Sequence, residues 1–179
     1  TLAISAPDRD GVFRNAQVYD LPECPQIVFA RLDGPLYFGS VEAITRAFRQ
    51  IERLRPGQKH LILVLKGVGD IDLSGGMAIV DEAERRRRNG GDLYLVARYP
   101  PTVKRLHKLS VIQAIGEERH FENKDHAIQA VTAKLEANSC ASCRARIFRE
   151  CVHRPGAQRT SARPGDGPEP DLSPTEDCP

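Results

Sequence analysis

Apolar and polar positions along the chain fall into alternating short strands and amphipathic helices. The clearest segment is Leu61 to Leu65, five consecutive apolar residues that end in a Gly/Asp-rich turn. A run of this length fits a strand buried on both faces, as in the middle of a parallel sheet. Asp72-Leu73-Ser74-Gly75 then opens a helix expected from Ser74 to about Asn89, where Gly90-Gly91 stop it. The loop at the carboxyl end of such a strand is where open α/β sheets place ligands or regulatory contacts.

The same reading extends to the flanks. Gly11 to Asn15 follows a polar, Pro-containing entry and reads as an edge strand or extended arm. Gln26 to Leu32 is rich in branched and aromatic residues and predicts a strand. Asp33-Gly34-Pro35 is a turn signal, and Leu36-Tyr37-Phe38 reads as the returning strand of a hairpin. Pro35 is tolerated at a strand's first residue. Ser40 is placed to cap the next helix, whose apolar face carries Val41, Ile44, Phe48 and Ile51, and Pro56-Gly57 ends it. Asp92 to Arg98 predicts another strand. Pro100-Pro101-Thr102 opens a third helix with Val103, Leu106 and Leu109 on one face, and Ile112 and Ile115 continue the apolar set to Gly116. His120-Phe121 predicts a short last strand, and Asp125 caps a final helix carrying Ile128, Val131 and Leu135. Strands and helices alternate after the first hairpin, and right-handed crossovers make those strands parallel. The expected fold is a single α/β domain with a mixed, mostly parallel central sheet and helices packed against it.

Composition adds boundaries to this picture. Hydrophobic residues make up 40% and charged residues 28% of the 179, the balance of an ordinary globular domain. A net charge of +2 favours neither nucleic acid nor an acidic partner. No apolar run reaches the roughly 18–20 residues that span a bilayer. Thr1 to Ser5 lacks the basic and apolar segments of a signal peptide. The first residue is Thr and the only Met is Met77, so the sequence reads as part of something longer. The five cysteines are uneven: Cys24 and Cys178 stand apart, while Cys140, Cys143 and Cys151 cluster. An odd count of this kind suits a reducing compartment better than a disulfide framework. The character of the chain changes after Asn138, and residues 154–179, dense in Pro, Gly, Ser, Asp and Arg, read as a disordered tail.

Three constellations carry candidate chemistry. At Asp72-Leu73-Ser74-Gly75, Ser74 and the amides behind it could seat an anion at a helix N-terminus, or Ser74 or Asp72 could simply cap the helix. The stretch is neither a Walker loop nor a dinucleotide fingerprint. Arg85 to Arg88 reads as a solvated helix end that complements the helix dipole, with contact to anionic lipid or a partner protein as the alternative. Cys140-x2-Cys143-x7-Cys151-x-His153 offers thiolates and an imidazole that suit zinc. The other readings are reduced cysteines packed under the last helix or a redox-labile pair. His60, His107, His120 and His126 sit apart, and no enzyme motif emerges.

Four segments together carry a family resemblance: Gly11 to Asn15, Arg31 to Ser40, Asp72 to Gly75, and Glu118-Arg119-His120-Phe121 leading to Ala127-Ile128. With them the chain resembles a STAS domain, the fold shared by bacterial anti-sigma-factor antagonists and the cytoplasmic ends of SulP-type anion transporters. Leu32 to Phe38 is the more specific part and is similar to the transporter branch. The resemblance implies residues 1–10 as a linker from a membrane part, 11–138 as the domain, 139–153 as a Cys-rich extension and 154–179 as the tail. It implies a non-catalytic regulatory and interaction domain of a sulfate, bicarbonate or dicarboxylate transporter, at the cytoplasmic face of the bacterial inner membrane. Its partners would be its own membrane domain and a cytoplasmic regulatory protein, with no resident cofactor apart from zinc at the cysteines. The docking loop would be Asp72, Ser74 and Gly75. In the soluble antagonists a Ser or Thr directly after the Asp is phosphorylated; here that residue is Leu73, which has no hydroxyl. A soluble antagonist acting by partner switching is the alternative. The segment from Cys140 to Cys151, with Arg146-Ile147-Phe148, also resembles a Cys-rich end found on some bacterial transporters of this kind.

Overall fold

The Leu61–Leu65 run forms the middle of a six-stranded sheet in a computed structural model that describes residues 1–156. The strands are β1 (Leu2–Pro7), β2 (Phe13–Asn15), β3 (Ile27–Leu32), β4 (His60–Leu65), β5 (Asp92–Val96) and β6 (His120–Phe121), in the order β2-β1-β3-β4-β5-β6. β3 to β6 are parallel, and β1 is antiparallel to both of its neighbours. The helices are α1 (Phe38–Leu54), α2 (Leu73–Arg88), α3 (Pro100–Lys108), α4 (Val111–Ile115), α5 (Lys124–Thr132) and α6 (Ala137–Ser142).

Side chains alternate across the sheet and divide the core in two. Val28, Ala30, Leu32, Leu61, Leu63, Leu65, Leu93 and Leu95 face a large cluster completed by α1, α2, α3 and α4. Ile27, Phe29, Ile62, Tyr94 and Val96 face a second cluster completed by Ala127, Ile128 and Val131 of α5, with Leu135, Cys140 and Phe148 beyond it. Both faces are covered, which is why β4 and β5 carry apolar residues at consecutive positions.

The strands and helix ends depart from expectation at five places. Residues 1–10 are not a free linker: Leu2, Ala3 and Ile4 pair with Leu32, Arg31 and Ala30, and Ile4 and Ala6 are buried. Their alternation turns the apolar side of β1 into the large cluster. The hairpin after Pro35 does not form. Leu36 makes one parallel bridge with Ile71 and is fully buried, and Phe38 is already helical. Ser40 sits inside α1, where its Oγ accepts from the Tyr37 amide at 3.0 Å instead of capping a helix that starts after it. The third helix divides at Ser110, which takes a left-handed φ of 57°, so α4 can turn Val111, Ile112 and Ile115 into the core. The final helix is capped by Asn123, whose side chain accepts from the His126 amide at 2.9 Å, and not by Asp125.

The Cys-rich extension is part of the second core layer, since Cys140 and Phe148 are both buried there. Of the expected tail, residues 157–179 lie outside the described residues.

The arginine tract is not a solvated end. Glu82, buried in α2, accepts from Arg85 and Arg86, and Arg86 Nη1 donates to the carbonyls of Gln58 at 2.9 Å and Lys59 at 3.2 Å. Arg85 also pairs with Glu52 of α1, and Arg87 pairs with Asp92 at 3.1 Å. Arg88 is the exposed member. Three of the four arginines therefore tie α2 to α1 and to the amino ends of β4 and β5, which removes the basis for reading the tract as a lipid-facing patch. Glu82→Ala would leave Arg86 buried without its carboxylate. Loss of one partner of a buried pair costs about 3–5 kcal/mol, and urea denaturation of the variant is expected to show destabilisation on that scale.

Candidate functional site

At the carboxyl end of β4 the chain makes a loop from Lys66 to Ile71 before entering α2. Gly67 takes a φ of 70°, which turns the chain sharply. Val68 and Ile71 are buried and anchor the loop from within. α3 braces it from the side: Thr102 Oγ1 donates to the Val68 carbonyl at 2.6 Å, and Arg105 Nε donates to the Ile71 carbonyl at 2.6 Å. Leu36 is stitched alongside, its amide donating to the Asp70 carbonyl at 2.9 Å and its carbonyl accepting from the Asp72 amide at 3.0 Å.

This arrangement brings the starts of α1 and α2 to a single side chain. Asp72 Oδ1 accepts from the Gly75 amide at 2.8 Å, and Oδ2 accepts from the Phe38 amide at 2.9 Å. The amide bonds from Gly75 and Phe38 hold the Asp72 carboxyl below the usual carboxylate range. Gly75 is required by close approach: a Cβ there would stand 2.2 Å from the Leu36 carbonyl oxygen. Of the three residues predicted for this loop, Asp72 and Gly75 act together in the clasp. Ser74, half-buried in the first turn of α2, is not the cap.

Around the clasp lie side chains that the sequence did not mark as part of a docking surface. Phe38 is 79% exposed and Leu73 62% exposed, and the Asp72 carboxylate joins their two helix starts. Met77 lies one turn beyond Leu73 on the same face of α2 and is also exposed, as is Tyr37. Neither Phe38 nor Leu73 carries a helix-surface signal, since Phe38 reads as strand and the second helix reads as starting at Ser74. The clasp engages backbone amides with both carboxylate oxygens, and the exposed Phe38 and Leu73 stand at a loop that also exposes Lys66 and Asp70.

The cysteines lie elsewhere, near the amino end of β3. The Gln26 side chain pins the extension there, its Oε1 accepting from the Glu136 amide at 2.9 Å and its Nε2 donating to the Glu136 carbonyl at 3.2 Å. Gln26 Nε2 also reaches Cys140 Sγ at 3.4 Å. Cys24 is buried beside this contact, and burial pushes its thiol up to about 11. Cys143 and Cys151 are half-buried, and burial also raises Cys151. His153 is exposed on a short 3-10 turn. The fold thus buries Cys24 and Cys140 in one core cluster with Cys151 packed against it, and His153 is exposed. As these side chains stand, no three His, Cys, Asp or Glu groups among the described residues surround one ion position.

The model of the STAS domain matches residues 18–127. The chain belongs to the STAS domain family. High affinity sulfate transporter 2 of Stylosanthes hamata is 26% identical to it over 136 residues, 70% of this chain and 20% of that protein. The chain spans about a fifth of the length of the curated relatives it matches. Among solved structures, a sulfate transporter family protein from Wolinella succinogenes is 26% identical with a TM-score of 0.53, over 63% of this chain and 88% of that one. Murine solute carrier 26 family member A9, an anion transporter solved in an inward-facing state, shares the fold at 19% identity with a TM-score of 0.64, over 74% of this STAS chain and 22% of its own. The sheet and helix pattern read from the sequence is the STAS fold, and no helix among the described residues is long and apolar enough to cross a membrane.

Asp72→Asn removes the charge that both helix starts share. Because the folded-state pKa of Asp72 is depressed, its contribution is complete above the ordinary carboxylate range and is lost as pH falls through the folded value. The variant should melt below the wild type at neutral pH, and the gap in Tm should narrow as the pH is lowered into the acid range. Thermal melts followed by circular dichroism across pH check both parts.

Proposed function

We propose that this chain is the cytoplasmic STAS domain of a SulP-type anion transporter, in the sulfate, bicarbonate or dicarboxylate class, and that it works by docking and not by chemistry. The observation that carries this reading is the exposed apolar surface of Tyr37, Phe38, Leu73 and Met77, held in place by the Asp72 clasp at the carboxyl end of the sheet. Large apolar side chains grouped at the surface mark contact sites for other proteins. The resemblance to transporters supplies the occupant: the membrane domain of the same protein, or a cytoplasmic regulator that competes for the same face.

The switch of the soluble antagonists finds no support at this loop. The position after Asp72 holds Leu73, and it is exposed where a phosphorylated hydroxyl would need to be. Ser74 is half-buried behind it. The role of Asp72, Ser74 and Gly75 in this reading is to set the shape of the docking face.

In the full-length protein, Phe38→Asp combined with Leu73→Asp should cut anion uptake about tenfold, the effect of losing roughly 1.4 kcal/mol of interface. Circular dichroism of the 179-residue chain carrying the same pair should match the wild type, because both side chains are exposed. Uptake and membrane abundance equal to wild type would overturn the docking role of this face. A measured phosphotransfer to Ser74 by a kinase would favour the partner-switching alternative.

A further inference from the structure

The apolar residues of the docking face belong to two helices whose starts are joined by Asp72. Leu73 and Met77 stand one turn apart on α2 and are both exposed, and Tyr37 and Phe38 are exposed at the start of α1. One further turn along, each helix carries an exposed acid: Asp81 follows Met77 by four positions, and Glu42 follows Phe38 by four. Asp70, exposed in the loop that leads into α2, adds a third carboxylate, with Lys66 as the exposed cation at the other end of that loop. Glu42 pairs with Arg46 within α1. Among the described residues no ion pair involves Asp70 or Asp81.

The first residues of the chain lie at the same end of the sheet. β1 runs antiparallel to β3, so Thr1 and Leu2 stand at the carboxyl end of the parallel strands. Leu2 pairs with Leu32, the Thr1 amino group donates to the Asp33 carbonyl at 2.6 Å, and the Asp33 amide donates to the Thr1 carbonyl at 2.9 Å. Asp33 stands four positions before Tyr37. In a transporter of the kind proposed above, chain preceding Thr1 would leave from the end that displays the exposed apolar side chains. A covalent connection at that end holds the cytoplasmic segments of the membrane domain near the face at high effective concentration.

Chemistry narrows the partner. Large apolar side chains on two joined helix starts suit the apolar stripe of an amphipathic helix, whose anchors recur every three or four residues. Carboxylates beside such a stripe favour lysine and arginine on the incoming segment, and complementary charge at a rim decides which partner is chosen more than how tightly it binds. Cytoplasmic segments of membrane proteins carry an excess of those two residues. An anionic lipid surface would meet the same carboxylates as like charges.

We propose, resting on the docking role given above, that the face of Tyr37, Phe38, Leu73 and Met77 takes a basic amphipathic cytoplasmic segment of the transporter's own membrane domain. The apolar stripe of that segment lies on the four side chains, and its cations stand against Asp70 and Asp81. Glu42, already paired with Arg46, contributes less to the choice. Asp72 takes no part in the charge selection, because both of its oxygens are engaged by backbone amides.

Two synthetic helices of about 18 residues serve as probes for the 179-residue chain, each with leucine along one face, one with lysine elsewhere and the other with glutamate. Fluorescence anisotropy should show tighter binding of the lysine helix, although the net charge of +2 would favour the glutamate helix if only overall charge mattered. Asp70→Lys combined with Asp81→Lys should weaken the lysine helix about tenfold and remove the preference. Phe38→Ser combined with Leu73→Ser should abolish binding of the lysine helix. All four exchanged side chains are exposed, so circular dichroism should match the wild type in both variants. In the full-length protein, a benzophenone side chain in place of Met77 should crosslink to a segment of the same protein rich in Lys and Arg, located by mass spectrometry. No binding of the lysine helix, equal affinity for the two helices, a lysine preference that survives the aspartate reversals, or crosslinks to lipid or to another protein overturns this choice of partner. Binding that the serine exchanges leave unchanged overturns the docking role of the face itself.

Discussion

Asp72 answers a problem that every helix start poses. The first amides of a helix have no partner within the helix and must find acceptors elsewhere. Here one carboxylate serves two helices, with one oxygen on Gly75 of α2 and the other on Phe38 of α1. The clasp works only because Leu36 and Ile71 run side by side and bring the two helix starts together. It also needs Gly75, since any side chain there would strike the Leu36 carbonyl. Position, charge and the missing Cβ are thus parts of one device, and Phe38 and Leu73 are displayed on either side of it.

The two ends of the sheet do different work. At the carboxyl end of β4, the Asp72 carboxylate is engaged by backbone amides and large apolar side chains are exposed beside it. At the amino ends, polar and ionic groups are buried to fix the architecture: Glu82 and Arg86 lock α2 against the strand starts, and Gln26 holds the extension. The large core and the second core are separated by the sheet, so the extension completes a layer that α5 alone leaves open.

Much of the fold was legible in the sequence because burial on both faces of β4 and β5 leaves uninterrupted apolar runs. The misreadings have local physical causes. Leu2 to Pro7 mixes small and polar residues with only two large apolar ones, so β1 has no strong signature and becomes a strand through pairing with β3. Leu36-Tyr37-Phe38 has the composition of a strand, yet tertiary contact decides: Leu36 is drawn to Ile71 and Phe38 to Asp72. Asp72 and Gly75 were visible as a helix start, but the second oxygen's partner, thirty-four residues earlier, was not. Cys24 carried no spacing signal, since only the fold brings it into the core cluster that also holds Cys140.

The central claim is that one ionised carboxylate holds both helix starts. The most direct measurement follows the backbone amide resonances of Phe38 and Gly75 by NMR as the pH is lowered through the acid range. A single shared carboxylate predicts that both amides titrate together, with one common midpoint below the ordinary Asp value, and that neither transition remains in Asp72→Asn. Separate midpoints, or transitions that persist in the variant, would contradict it.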